Sequence, residues 1–353
     1  MAYISFQPSD FFNTVLYTGN ASDRTISGVG FQPDWVWIKN RSASYNHGLF
    51  DSNRGANLRL SSSTNGSEVT YTESLTAFNS DGFDLGDNSD GNNTVNNNSE
   101  NYVAWNWLSN GGTTSSNSDG SITSTVQANT TAGFSVVTWT GTGANATVGH
   151  GLGVAPKMII NKNRSLGTGD WVTYHNSIGA TKFLQLNSTS ATGTSIIAFN
   201  NTEPTSSVFS VGTWDSANGN GNNMISYVFA DVKGYSKFGS YTGNGSADGT
   251  FVYTGFRPAF VLTKRTDSAQ NWAMYDNRRN DDAPAGANVI DRLLYPNASD
   301  AEVDTGGSLM VDFLSNGFKW RGTSSITNNG ASIYMAFAEF PLVGSNGLAG
   351  TAR

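Results

Sequence analysis

The chain has 353 residues, a net charge of −7, no cysteine and 13% charged residues, against about 25% in an average globular protein. These numbers exclude disulfides, thiol nucleophiles and cysteine-ligated zinc. With no run of Lys or Arg they also disfavour a non-specific nucleic-acid or anionic-membrane binder. Forty glycines, as many asparagines, and 9 Trp, 13 Tyr and 20 Phe favour short strands and tight turns over charged helices or disorder.

In chain order, the first residues have neither the basic start nor the apolar core of a signal peptide. No apolar run reaches about 18 residues, so a soluble chain that is not exported by that route, and is not inserted in a membrane, is expected. Residues 6–17, with Phe6, Phe11 and Phe12, are a candidate dock onto a partner. Three marks then recur in fixed register, and such self-similarity takes priority over any single motif. An aromatic-Thr-Gly stands at 17–19, 139–141 and 241–243. A Gly-x-x-Pro follows, ending at Pro33, Pro156 and Pro258, and an apolar run then closes on Lys39, Lys162 and Lys264, six residues after each proline. Further on come Phe50-Asp51, Tyr174-His175 and Tyr275-Asp276, and closing strand-like runs in which Trp105, Phe229 and Phe337 are matched.

The marks predict an all-β protein of three tandem antiparallel β-sandwich repeats, jelly-roll or lectin-like. Their spans are 1–108 with its N-terminal dock, 133–234 and 235–353. Residues 109–132, rich in Ser, Thr, Asn and Gly, read as a linker. No such linker precedes the third repeat, so repeats two and three should pack as a close pair. The post-proline runs are apolar at consecutive positions, which predicts strands covered on both faces. Only 287–294 suggests a helix, and a short one.

Chemistry is sparse in this pattern. His47, His150 and His175 occur in unrelated settings, with no nucleophile elbow, metal signature or phosphate loop beside them. His175 shares a column with Asp51 and Asp276, which makes it a polar rim residue. A glycan-cleaving enzyme would need a paired acid and base, and no acid pair stands out, since many acids sit in Asp-Gly turns. The chain therefore reads as no enzyme, with no cofactor. Asp84, Asp87 and Asp90 could offer carboxylates to a hard cation, but they match no calcium-loop spacing and read as turn solvation. Trp35 and Trp37 interchange with Met158, Ile160, Phe260 and Leu262, the mark of core packing. Trp107, Trp214 and Trp320 lack such partners and are the candidates for stacking on a glycan or partner. Lys39, Lys162 and Lys264 end their strands, with Arg41, Arg164 and Arg265 close behind; they could dock an acidic partner or glycan, or they keep strand ends from pairing with strangers.

Residues 30–41, 235–245, 253–266 and 333–339, with the Gly-Thr-Ala-Arg end, resemble a repeat domain of uncharacterised function. That domain is found in tail-fibre and other virion proteins of tailed bacteriophages, marine and cyanobacterial ones especially. The resemblance implies a structural virion protein, made in the host cytoplasm and carried on the virion surface, on the tail rather than the head. It is expected to meet other virion proteins, to form a homo-oligomer with a trimer favoured, and to touch a host envelope glycan. Head decoration and a glycan-degrading tailspike are the alternatives. The resemblance brings no catalytic residues with it.

Overall fold

The computed structural model describes residues 5–91, 94–280 and 289–341. The β-branched and aromatic runs form strands that stop at Gly, Asn and Pro, where left-handed or proline backbone interrupts pairing. The first segment holds β1 (Phe12–Thr18), β2 (Arg24–Ser27), β3 (Trp35–Asn40), β4 (Gly48–Asp51), β5 (Leu58–Arg59), β6 (Val69–Thr70), β7 (Leu75–Asn79), β8 (Gly82–Leu85) and β9 (Asn101–Trp107). The second holds β10 (Ser115–Asn117), β11 (Ser124–Asn129), β12 (Phe134–Thr140), β13 (Ala146–Gly149), β14 (Met158–Asn163), β15 (Trp171–His175), β16 (Lys182–Gln185), β17 (Gly193–Thr194), β18 (Val208–Val211) and β19 (Asn223–Phe229), with two single-turn helices, α1 (Ile196–Phe199) and α2 (Asp215–Asn218). The third holds β20 (Ser236–Asn244), β21 (Phe251–Tyr253), β22 (Phe256–Arg265), β23 (Trp272–Asp276), β24 (Val289–Ile290), β25 (Arg292–Leu293), β26 (Val303–Asp304), β27 (Val311–Leu314), β28 (Gly317–Trp320) and β29 (Asn329–Pro341).

One strand order occurs three times. It is β1-β9-β3-β4 in the first segment, β12-β19-β14-β15 within the larger second sheet, and β20-β29-β22-β23 in the third, antiparallel throughout. Each time the last strand lies between the first strand and the one after the proline. Pairing sets the columns: Trp35 opposes Trp107, Met158 opposes Phe229, and Phe260 opposes Phe337. The counterpart of Phe229 and Phe337 is therefore Trp107, two residues beyond the Trp105 that the sequence suggests. Smaller sheets, β2-β8-β7, β13-β18 and β21-β28-β27-β24, cover one face of each main sheet.

Alternation along a strand sends neighbours to opposite faces. Val36 and Ile38, Ile159, and Val261 face the cores inside their own segments. Trp35 and Trp37, Met158 and Ile160, and Phe260 and Leu262 face a single core shared by all three sheets. This explains why the post-proline strands are buried at nearly every residue. Rings interlock across the segments: Trp35 stacks on Tyr227 at 4.2 Å and Phe12 on Phe337 at 5.1 Å. Each buried ring removes about 150–250 Å² from water.

The repeated glycine of aromatic-Thr-Gly has a steric cause. A Cβ on Gly19, Gly141 or Gly243 would lie 2.1–2.2 Å from backbone atoms of Asn97, Gly219 or Asn328. Beside each glycine is a buried asparagine, Asn96, Asn218 or Asn328, whose amide donates to nearby loop oxygens.

Several expectations change here. The 109–132 linker contains β10 and β11, which extend the second sheet. It is tied back by the buried Asp34 carboxylate, which accepts from the N–H groups of Ser109, Gly111 and Gly112. Its Ser/Thr composition hid an alternation that buries Ile122, Ser124 and Val126 and exposes Thr123 and Thr125. The helix over 287–294 is not formed by 289–294, which supply β24 and β25; residues 287 and 288 lie outside the described residues. The N-terminal dock is occupied from within: Phe6 and Phe11 pack edge-on to Tyr235, and Phe12 is in the shared core. The second and third segments do pack together, but the first packs against both.

Candidate functional site: three seams between the sheets

The polar residues singled out by the repeat meet where one segment abuts the next. Lys39, Lys162 and Lys264 follow the core residues Trp37, Ile160 and Leu262 by two, so they leave the same face, and all are fully buried. Lys162 Nζ donates to the carbonyls of Asn65 (3.1 Å) and Gly169. Lys264 Nζ donates to those of Thr189 and Arg265 at 3.2 and 2.7 Å, and Lys39 Nζ to those of Asn40 and Ala43 at 2.7 and 3.4 Å. Asn65 and Thr189 belong to the preceding segment. Burial pulls all three ammonium groups down to about 8.

Equivalent contacts complete each seam. Trp171 Nε1 donates to Ser61 O (2.8 Å), Trp272 Nε1 to Gln185 O (3.0 Å), and His47 Nε2 lies 3.0 Å from Tyr295 O. Seven residues beyond each acceptor, a backbone N–H crosses the seam: Glu68 to Arg164 O, Thr192 to Thr266 O, and Glu302 to Arg41 O, at 2.8–3.0 Å. First meets second, second meets third, and third meets first. The contacts form a closed cycle.

Two seams add a buried charge network. At the first, Arg54 engages Asp51 and Glu68, Arg164 grips Glu68 with Nε and Nη2 at 2.9 and 2.8 Å, and Tyr227 donates to Asp51 at 2.8 Å. Burial opposes the charge on Arg54, but Asp51, Tyr227 and Glu68 more than offset it and hold the proton tighter than usual. Burial likewise would raise Glu68, yet Arg164 and Arg54 bring it below the ordinary carboxylate range. At the third-to-first seam the same parts recur: Arg279 engages Asp276 and Glu302, Arg41 grips Glu302 at 3.0 and 2.9 Å, and Trp105 Nε1 donates to Asp276 at 3.0 Å. The second-to-third seam has His175, Ile178, Thr192 and Thr266 at the corresponding positions. His175 is fully buried, which corrects its reading as a rim residue. This chemistry holds surfaces together, because each of these seam carboxylates faces a guanidinium.

The other candidates scatter. Arg265 pairs with Asp267 beside the seam, at 2.6 Å, and Thr266 takes the place of Arg41 and Arg164. None of the three lysines is exposed to meet a partner or to guard a strand end. Trp107 and Trp320 are fully buried, their indole N–H groups without hydrogen-bond partners, so neither stacks on a ligand. Trp214 is half-buried against Phe183, ring centres 5.1 Å apart. Asp84 accepts from Thr25 and Asn79, Asp87 from the Ser89 N–H, and Asp90 from the Glu73 N–H; among the described residues no group of three or more His, Asp or Glu is placed to hold a metal. A pocket of about 450 Å³ opens at the third-to-first seam beside Tyr17, Arg41, Arg279, Arg292 and Glu302, and its arginines already face Glu302, Asp276 and Asp304. Sequence reasoning missed Arg54, Glu68, Arg279 and Glu302. The signal was present as an Arg three residues after Asp51 and after Asp276.

The fold and these seams define an all-β protein, antiparallel in its paired strands, whose main sheets close around one core. A family model described as "Domain of unknown function (DUF7483)" matches residues 7–341, and the chain belongs to that family. No curated protein matches it. Among the described residues, no helix is long and apolar enough to cross a membrane.

Proposed function

We propose that the chain is a non-enzymatic structural protein of a tailed-bacteriophage virion, carried on the outside of the tail as part of a fibre or appendage. It is built from three β-sandwich units that close on one another. The observation that carries this reading is how the chain uses its chemistry. Buried lysines, arginines, carboxylates and most tryptophans join sheet to sheet, while polar turns face outward, an allocation that suits a rigid particle component whose loops meet a host envelope glycan. The recurrent strand order supports the three units, and the resemblance of 30–41, 235–245 and 253–266 supports the virion setting.

Antibody fragments against the purified chain, applied to whole phage, test the placement. Label at the tail with loss of adsorption is expected; label over the head with adsorption intact replaces the reading with head decoration. Incubation with host surface glycans is expected to give no new reducing ends, and steady oligosaccharide release favours the tailspike alternative. The three main sheets already close on one another within a single chain, so covering them requires no further copy, and the trimer rests on the resemblance to fibre proteins alone. Light scattering should give a mass near 37.5 kDa, and a threefold mass restores the trimer.

A further inference from the structure

The third segment is bounded by two seams, and each contains a buried neutral imidazole. At the second-to-third seam, His175 Nδ1 accepts the Ser177 N–H at 3.1 Å and its Nε2 lies 3.2 Å from Tyr334 O. At the third-to-first seam, His47 Nδ1 accepts from Trp37 Nε1 at 2.8 Å and its Nε2 lies 3.0 Å from Tyr295 O. In both rings a carbonyl fixes the proton on Nε2 and leaves Nδ1 as an acceptor. A second proton on Nδ1 would therefore point at an N–H donor and place a cation in a dry seam. The first-to-second seam has Trp171 and Asp51 at the positions of His47 and His175, and no imidazole.

The surroundings do little to receive that charge. His175 is faced by Asp231, which already accepts from Lys237 Nζ and the Phe238 N–H at 2.7 and 2.8 Å, and by Tyr334 from β29. Ile178 occupies the place of Arg54 and Arg279. His47 is faced by the cations Lys39 and Arg279 and by the carbonyls of Tyr295 and Ala298. The remaining seam has extra ties that carry no imidazole: Gln127 to Ser52 at 3.0 Å and Asn53 to Val136 O at 3.2 Å.

We propose that mild acid releases the third segment, residues 236–341, from the other two by charging His175 and His47 at its two seams, while the first and second segments stay joined. Burial holds His175 down to about 4 and His47 well below its ordinary value. In an opened seam both return toward about 6.5. Between those values the opened form binds more protons, so opening becomes easier as pH falls from about 6.5 toward 4.

Hydrogen exchange on the full chain at pH 7.0 and pH 4.5, corrected for intrinsic rates, tests it. The reporters are the cross-seam amides of Thr192, Gln270 and Glu302 at the third segment's two seams, and of Glu68 at the other. Opening at the first three is expected to rise at least about fiftyfold, with less than about threefold at Glu68. The double variant His47→Gln/His175→Gln should lose the response. Equal loosening of Glu68, no change at the other three, or a response that survives in the double variant overturns the proposal. Should the double variant not fold, an NMR titration of the His175 ring in the native chain decides: a midpoint near 4 supports the proposal, and one above 6 overturns it.

Discussion

The first-to-second and second-to-third seams share a backbone plan but differ in chemistry. Both have a buried lysine on a carbonyl, an indole N–H on a carbonyl and a backbone bond seven residues on. One adds Asp51, Arg54, Glu68 and Arg164; the other has His175, Ile178, Thr192 and Thr266. The buried lysine and the backbone bond recur at every seam, and the third-to-first seam has the His47 ring where these two have an indole. The ionic parts are optional, and they decide how each seam answers to mutation and pH.

The largest difference should appear on truncation. Arg54→Ala leaves Asp51 and Glu68 without that cation and should cost about 3–5 kcal/mol. The corresponding Ile178→Ala removes half-buried methyl groups and should cost about 1–2 kcal/mol, below the range for fully buried sites. Urea unfolding of both variants measures the gap, and equal costs would remove the distinction between the seams.

A smaller effect tests what the seams share. The lysines bind protons less tightly folded, near 8, than unfolded, near 10.4. The unfolded chain therefore holds more protons between those values, so stability should rise from pH 8 to pH 10 by about 2 kcal/mol per lysine. Above about pH 10 it should fall again, because buried Tyr227, Tyr235 and Tyr275 are held well above their ordinary value and ionise only on unfolding. Lys162→Met should flatten the rising limb by about a third, as read from unfolding midpoints across the pH series. A limb that keeps its full slope would mean the lysines are not its cause. The smallest effect belongs to Asp267→Asn, which breaks a half-exposed pair with Arg265 and should shift stability by under about 1 kcal/mol. A larger loss would place that pair inside the seam.

Much of this was legible in the residues. The post-proline strands, their double burial, and the core role of Trp35 and Trp37 follow from consecutive apolar positions. The assignment of Trp107 did not, and the reason is geometric: a strand slipped by two residues keeps every side chain on its face. Matching Trp105 to Phe229 and Phe337 thus left the pattern intact, and it removed Trp107 from the column that would have marked it as core. The lysines were illegible for another reason. All their acceptors are backbone carbonyls, for Lys162 and Lys264 including those of Asn65 and Thr189 in loops of another segment, and backbone acceptors leave no trace in composition. The polar stretch around β10 and β11 hid its alternation because Ser124 takes a buried place between Ile122 and Val126, and exposed Thr123 and Thr125 separate them.

The position of the last strand in each sheet bears on how the chain is made. β9, β19 and β29 each lie between two strands synthesised earlier, so every sheet waits for its middle. β29, at residues 329–341, comes after nearly all of the described chain, and it brings Ile333, Met335 and Phe337 into the shared core. Until it emerges, β20 and β22 have no strand between them and the aromatic faces of the first two sheets lack their third wall. Pairings of such long sequence separation form slowly, so a nascent chain passes through a stage with much of its ring surface uncovered. Completion then comes in one late, cooperative step, and a chain stopped before residue 329 should be found with chaperones or in aggregates instead of as a smaller folded particle.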